Sequence, residues 1–186
     1  VIDNDLTYST YDNDYGIYIY GSSYAIDNIL VQNNTITSMS SSGINIRGET
    51  TNMLETITIF NNTVNNTLFG IQSSYNSKLN ISHNNINKGG IVIDQCPNVM
   101  ITQNQLFNKS TIYLEDSQGT GWVHDVKLVN GSNTIDGKPI LIFENRTGLS
   151  AEDIGDSKQI ILLNCTDSVF YRINIPVYCY CCKNIT

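Results

Sequence analysis

The sequence lacks any run of apolar residues that approaches the ~20 needed to span a bilayer. It is also poor in charge, since Asp, Glu, Lys and Arg make up 15% of its 186 residues, and ten scattered basic residues face 17 acidic ones. A net charge of −7 without a basic cluster argues against nucleic acid as a partner. The polar surface must come instead from Asn, Ser and Thr, which indicates an extracellular, wall-like protein.

The two ends of the sequence show no processing signal or cap. Val1-Ile2-Asp3 includes neither an initiator Met nor the basic start of a secretion signal, and Cys182 to Thr186 resembles the start of another repeat. The length and the 40% share of hydrophobic residues are enough for one sizeable core. We therefore expect a single domain, residues 1–186, cut from a longer chain that is displayed on the cell surface.

A short unit, Asn-x-aliphatic, recurs six times along the chain. The asparagines are Asn4, Asn34, Asn62, Asn84, Asn104 and Asn133, and the aliphatic residues are Leu6, Ile36, Val64, Ile86, Leu106 and Ile135. An alternating segment precedes most units, as in Leu79-Asn80-Ile81-Ser82, and this alternation predicts β-strands with one buried face.

A second type of strand follows the units. Its copies are Gly16–Ile19, Gly43–Ile46, Gly70–Gln72, Gly90–Ile93, Thr111–Leu114 and Pro139–Ile142. Each repeat thus holds two or three short strands whose aliphatic residues can be buried only against the coils above and below. The pattern predicts an all-β parallel β-solenoid of about six to eight coils with loops of variable length.

The six repeat asparagines have a structural interpretation. Asn side chains at equivalent turns can bond between coils as an Asn ladder, and Asn tolerates the left-handed conformation that turns often need. The Asn-x-Ser/Thr sequence also marks candidate glycosylation sites. These sites are Asn33, Asn61, Asn65, Asn80, Asn108, Asn130, Asn145, Asn164 and Asn184.

The Gly-Ile-x-Ile and Asn-x-Ile units resemble the parallel β-helix repeats of the family of carbohydrate-binding proteins and sugar hydrolases. A longer stretch, Asn133 to Ile140 continuing through Glu144–Leu149 to Gln159–Cys165, is similar to the NosD-type β-helix proteins of archaeal surfaces and envelopes. This resemblance implies a right-handed helix outside the cytoplasm and attachment to, or assembly into, an archaeal envelope.

Metal sites have little support in the sequence. The NosD resemblance implies copper handling, but His83 and His124 are unrelated in position and no paired His or Met spacing is present. Calcium is an alternative at the acidic cluster Asp3, Asp5, Asp12 and Asp14, although turn formation explains these residues without a metal and is the favoured interpretation. We therefore expect no cofactor, with calcium kept as the alternative.

A carbohydrate site would appear as a column of residues on successive coils rather than as a linear motif. The residue after each second-type strand gives such a column, namely Tyr20, Arg47, Asp94 and Glu115, with Glu144 as an additional member. The other interpretation is that these are solvent-facing strand ends. Tyrosines near the start, Tyr8, Tyr11, Tyr15, Tyr18, Tyr20 and Tyr24, and the loop around Trp122 offer further sugar or subunit contacts.

Five cysteines are an odd number, which in an extracellular chain favours a crosslink between molecules. Cys165 lies one coil before Cys181 and Cys182, so it can bridge to either of them. In one strand, Cys179 and Cys181 would face the side opposite to Cys182. Disulfides rank first, buried free thiols second, and a zinc site of the last three cysteines third.

Three functions follow from these observations. The first is a structural repeat module of an extracellular archaeal surface layer, sheath or filament, polymerised through strand edges that are open at both ends of the solenoid. The second is a β-helix that binds or cleaves an acidic polysaccharide at the stacked column. The third is an adhesin-like module that uses its tyrosines or Trp122. A catalytic residue is not assigned.

Overall fold

The structure is a computed structural model that describes residues 1–7, 14–22, 26–115 and 122–186. Three parallel sheets, named here I, II and III, form the first part of the chain. Sheet I contains β1 (Asp5–Thr7), β4 (Thr35–Thr37), β7 (Thr63–Asn65), β10 (Asn85–Asn87), β13 (Gln105–Phe107) and β16 (Thr134–Ile135). Sheet II contains β2 (Ile17–Tyr20), β5 (Ser42–Arg47), β8 (Phe69–Ser74), β11 (Ile91–Asp94) and β14 (Ile112–Glu115). Sheet III contains β3 (Asp27–Gln32), β6 (Leu54–Phe60), β9 (Asn76–Ser82), β12 (Val99–Thr102) and β15 (Lys127–Leu128).

Each coil contributes one strand to each sheet, so the predicted parallel β-helix is confirmed with three strands per coil. In sheet I the register joins the predicted aliphatic positions in one unbroken row. The row is Leu6, Ile36, Val64, Ile86, Leu106 and Ile135. Alternate residues of all three sheets point inward and form one core of stacked Ile, Leu and Val side chains.

Glycine lies at or just before the start of several strands of sheet II, because adjacent coils approach too closely there for a side chain. A Cβ on Gly43 would lie 2.3 Å from Val64 Cγ1 and 2.9 Å from the Gly70 carbonyl oxygen. A Cβ on Gly70 would lie 2.4 Å from Ile86 Cγ2 and 2.9 Å from the Gly90 carbonyl oxygen. These glycines set how closely the corner between sheets I and II can pack.

The predicted sixth strand of the second type, Pro139–Ile142, is not part of sheet II. It lies within β17 (Lys138–Glu144), which folds back antiparallel on β16 through a two-residue turn at Asp136 and Gly137. Both turn residues have positive φ, 49° and 77°, as a tight hairpin requires. The parallel winding of the first part therefore ends at Ile135.

A second, smaller stack follows this hairpin. Its strands are β17, β18 (Gln159–Leu163), β19 (Thr166–Ser168), β20 (Val177–Tyr180) and β21 (Lys183–Ile185). Strands β17, β18 and β20 pair in parallel, as do β19 and β21. The β18 strand is buried on both faces, because Ile161 and Leu163 join the main core whereas Ile160 and Leu162 join a second cluster. The second stack thus lies across the end of the first and covers its core.

Side chains of the second stack also satisfy the backbone of β14, the last strand of sheet II. Gln159, which is fully buried, accepts a hydrogen bond from the Ile112 N–H (2.9 Å) and donates to the Ile112 carbonyl oxygen. The Tyr180 hydroxyl accepts from the Leu114 N–H (3.1 Å). The expectation of open strand edges at both ends is therefore wrong for β14, where side chains occupy the edge, whereas β15 is the last strand of sheet III.

Candidate functional site: the outer face of sheet II

The outer face of sheet II carries the predicted column in one register. Tyr20, Arg47, Asp94 and Glu115 follow one another on successive coils, with Ser74 between Arg47 and Asp94. Glu144 lies outside the column, because β17 belongs to the second stack.

A second row runs parallel to this column two residues earlier on each strand. Its members are Tyr18, Asn45, Gln72, Val92 and Tyr113. Gln72 Oε1 accepts hydrogen bonds from Asn45 Nδ2 (3.1 Å) and Ser42 Oγ (2.9 Å), so the amides are held in place. Sequence reasoning missed this row, although the two-residue period of a strand places it beside the column.

Tyrosines stack at one end of the face. The Tyr15 and Tyr18 ring centroids are 4.8 Å apart with ring planes at 18°, and the Tyr18 and Tyr20 centroids are 6.2 Å apart at 8°. The three rings are 36%, 49% and 44% exposed, respectively. Tyr20 donates its hydroxyl to Glu49, and this hydrogen bond raises the pKa of Tyr20. The remaining tyrosines of the predicted group, Tyr8, Tyr11 and Tyr24, lie outside the described residues.

The described side chains of this face include groups that can bind a sugar. Glu115 is exposed and Asp94 is half-buried, so neither lies in the enclosed pocket that general acid catalysis uses. Amides, carboxylates, a guanidinium and tyrosine rings line an open surface. Such a set suits the hydroxyl groups and apolar ring faces of a sugar polymer.

The Asn ladder lies inside the opposite corner, between sheets III and I. Each ladder asparagine donates its backbone N–H and its Nδ2 to the Oδ1 of the next, at 2.9–3.1 Å, from Asn4 through Asn34, Asn62, Asn84 and Asn104 to Asn133. All members except Asn4 are buried. The ladder residues themselves are not left-handed. The residues just before five of them are, namely Asp3, Asn33, Asn61, His83 and Gln103.

The candidate glycosylation sites lie mostly on the surface. Asn33, Asn61, Asn108, Asn130, Asn145, Asn164 and Asn184 are exposed, whereas Asn65 and Asn80 are half-buried. The Nδ2 atoms of Asn61, Asn108, Asn164 and Asn184 donate to side chains of the adjacent coil. A glycan at any of these four positions would have to compete with that bond.

The candidate metal residues do not converge within the part of the chain that the structure describes. No group of three or more His, Cys, Asp or Glu residues is arranged there to hold a metal ion. Asp12 and the side chain of His124 lie outside the described residues, and the His83 ring contacts Phe60 edge-on with centroids 5.1 Å apart. Trp122 is buried and donates its Nε1–H to the Glu115 carbonyl oxygen (3.0 Å), so it is a core residue rather than a glycan contact.

All five cysteines are free thiols in the structure, and the disulfide stays a prediction. Cys165 and Cys182 nevertheless occupy neighbouring coils, with Cys182 Sγ 3.3 Å from the Cys165 backbone nitrogen. The pKa of Cys179 is raised, chiefly by burial and then by the charges of Cys182 and Cys165. Cys181 is an exposed turn residue beyond β20, which corrects the prediction that it shares a side with Cys179. Burial raises the pKa of Cys96 to about 12, so that thiol is an inert core residue.

Oxidised glutathione is expected to convert Cys165 and Cys182 to a disulfide, passing two electrons and two protons to the oxidant and leaving two molecules of glutathione. Closing this short loop should raise the free energy of unfolding by about 2 kcal/mol. Peptide mapping by mass spectrometry locates the bond, and denaturant titration measures the gain. Cys165→Ser is the control, and a bond that forms only between molecules would contradict the prediction.

Membrane-spanning helices are absent from the described residues, in which no helix has the length and apolar character that crossing requires.

Comparison with known proteins identifies the fold family. Residues 1–135 match the family described as right handed beta helix region. No curated protein and no solved structure matches the chain significantly. The family match ends at Ile135, the residue at which the parallel winding ends and the hairpin to β17 begins. Because the match spans 135 of the 186 residues, the chain belongs to the right-handed β-helix family.

Proposed function

We propose that the chain is an extracellular carbohydrate-binding β-helix module that holds a linear glycan along the outer face of sheet II. The observation that carries the proposal is the exposed stack of Tyr15, Tyr18 and Tyr20 at the end of two polar rows. Tyrosine rings supply a flat apolar surface with a polar edge, which is suited to sugar rings. Exposed aromatic groups in this number are otherwise a cost to solubility.

The direction of the rows favours a polymer over a single sugar. The rows cross the strands, so equivalent positions recur every ~4.8 Å from coil to coil. A chain laid along them meets Tyr18 and Tyr20 first, then the half-buried amide of Gln72, and then the carboxylate of Asp94. Binding alone is proposed, because the residues of the face that the structure describes include no enclosed acid–base pair.

Replacing Tyr18 with alanine removes the central ring of the stack. Affinity for a bound glycan should fall roughly tenfold, which corresponds to the loss of one stacking contact. A glycan array identifies the ligand, and calorimetric titration compares the variants. Tyr171→Ala is the matched control, because Tyr171 is 71% exposed and lies on the second stack. Equal effects of the two substitutions, or no glycan bound by the parent chain, would rule out this face.

A second candidate is a structural repeat module of an archaeal surface layer, sheath or filament. One observation favours it: within the described residues, β1, β2 and β3 are each the last strand of their sheet, and none has a neighbour beyond it. A preceding coil could stack on this edge. The resemblance to NosD-type proteins supports an envelope location. Electron microscopy with and without reductant distinguishes ordered assemblies from dispersed monomers.

A further inference from the structure

A groove runs beside the outer face of sheet II, where the chain turns from sheet I into sheet II. It consists of two adjoining depressions of about 550 and 310 Å³ that meet at Lys109. Lys88 lines the first depression and Lys158 lines the second. The first also shares Leu68 and Gly89 with a shallow depression that reaches Val92 and Tyr113 on the outer face. A polymer bound on that face can therefore extend into the groove.

The groove gathers positive charge in an acidic protein. Three of the ten basic residues, Lys88, Lys109 and Lys158, line it, although the net charge of the chain is −7. The ion pair Lys138–Asp156 is the only one within the described part of the chain, so none of these three lysines is paired there. Asp136 also lines the groove, but its Oδ1 accepts a hydrogen bond from the Asn108 backbone N–H (3.2 Å).

A buried hydroxyl in the same groove lacks a partner. Thr67 is 5% exposed, and its Oγ1 makes no hydrogen bond. A Cβ on residue 89 would lie 3.0 Å from this atom and 2.7 Å from the Gly70 nitrogen, so only glycine fits beside it. A buried hydroxyl without a partner is uncommon and costs free energy, so a ligand atom at this point would remove a penalty that the protein already carries.

The lysines also occupy unusual backbone positions. Lys88 and Lys109 have φ values of 63° and 67°, in the left-handed region that Asn and Gly adopt more readily. Asn66 and Asn108 take the turn position of Lys88 on the two neighbouring coils.

We propose that the groove binds the carboxylate or sulfate groups of an acidic polysaccharide. This inference rests on the glycan-binding function proposed above and specifies its ligand as a polyanion. The lysine ammonium groups attract the anionic substituents, and the Thr67 hydroxyl donates a hydrogen bond to one of their oxygens. The acidic remainder of the surface repels the same polymer, which confines it to the groove.

The test compares dextran, carboxymethyl dextran and dextran sulfate as probes, because they share one backbone and differ in charge. The chain is produced without glycans, as verified by its mass. At 50 mM NaCl both charged polymers, or the one with the preferred anion, should bind at least tenfold more tightly than dextran, and 500 mM NaCl should remove most of this preference. The double variant Lys88→Gln/Lys109→Gln should lose roughly tenfold in affinity for the charged polymers only.

Two controls separate the groove from other effects. Lys78→Gln/Lys127→Gln makes the same change in net charge on sheet III and should leave the preference intact. Thr67→Val should weaken binding of the charged polymers while leaving the unfolding free energy unchanged or higher, because the lost hydroxyl has no protein partner.

The outcomes distinguish this inference from the function on which it rests. No preference for charged polymers, or an equal loss in both double lysine variants, overturns the groove. Tyr18→Ala should weaken all polymers that bind, and binding that is indifferent to Tyr18 but sensitive to Lys88 and Lys109 overturns the tyrosine face while leaving the groove in place.

Discussion

Alanine in place of Asn84 is expected to lower the free energy of unfolding by about 3–5 kcal/mol, because the change leaves several buried polar groups unpaired. Asn84 Nδ2 donates to the carbonyl oxygens of Ile59 (2.9 Å) and Ser82 (3.0 Å) and to Asn104 Oδ1 (3.0 Å). Its Oδ1 accepts from the backbone N–H and the Nδ2 of Asn62, both at 2.9 Å. Asn84 is 1% exposed, so water does not reach this corner to replace the lost bonds.

The neighbouring asparagine provides the control. Asn85 is exposed on β10, and its substitution by alanine should change stability by less than about 0.5 kcal/mol. Equilibrium denaturation in urea measures both variants. Near-equal values for Asn84→Ala and Asn85→Ala would mean that the ladder is a consequence of the fold and contributes little to its stability.

Leucine in place of Gln159 should cost about 2–4 kcal/mol, because it keeps the volume but removes both bonds to Ile112. Gln159 is fully buried, and its side chain joins the second stack to β14, the edge strand of sheet II. Without these bonds, the Ile112 N–H and carbonyl oxygen are left without a hydrogen-bond partner in a site that water does not reach. The second stack should then detach before the main helix unfolds, and hydrogen exchange should show early loss of protection in β18 and β14.

Gln105→Leu is the matched control, since Gln105 is exposed on β13. It removes the same amide from the surface and should leave stability and exchange almost unchanged. A Gln159→Leu variant whose two stacks still lose protection together would show that apolar contacts of Ile161 and Leu163, rather than the amide, hold the second stack in place.

The main helix was predictable because its rules are local and repeated. The Asn-x-aliphatic unit predicted the row from Leu6 to Ile135, and the observed register joins the same residues. The column Tyr20, Arg47, Asp94 and Glu115 followed from the same logic, since strand ends on stacked coils coincide. Neither the row nor the column depends on loop length, which varies between coils.

The second stack was missed because its position depends on a reversal and on distant contacts. The reversal did leave a signal, since Asp136-Gly137 is a preferred pair for a two-residue hairpin. Nothing near Gln159 in the sequence indicates that its amide will meet Ile112, 47 residues earlier. The lysine groove was not predicted for the same reason. Its three lysines are far apart in the sequence and line one groove only in the folded chain.

The Asn ladder has a consequence for how such a chain changes over evolutionary time. Successive rungs are separated by 30, 28, 22, 20 and 29 residues, yet every rung makes the same pair of bonds to the next. A whole coil can therefore be duplicated or deleted without altering the bonding of the coils on either side, provided that its asparagine is retained. The number of coils can therefore change during evolution. Each added or lost coil lengthens or shortens the outer face of sheet II, and with it the length of ligand that the face can contact.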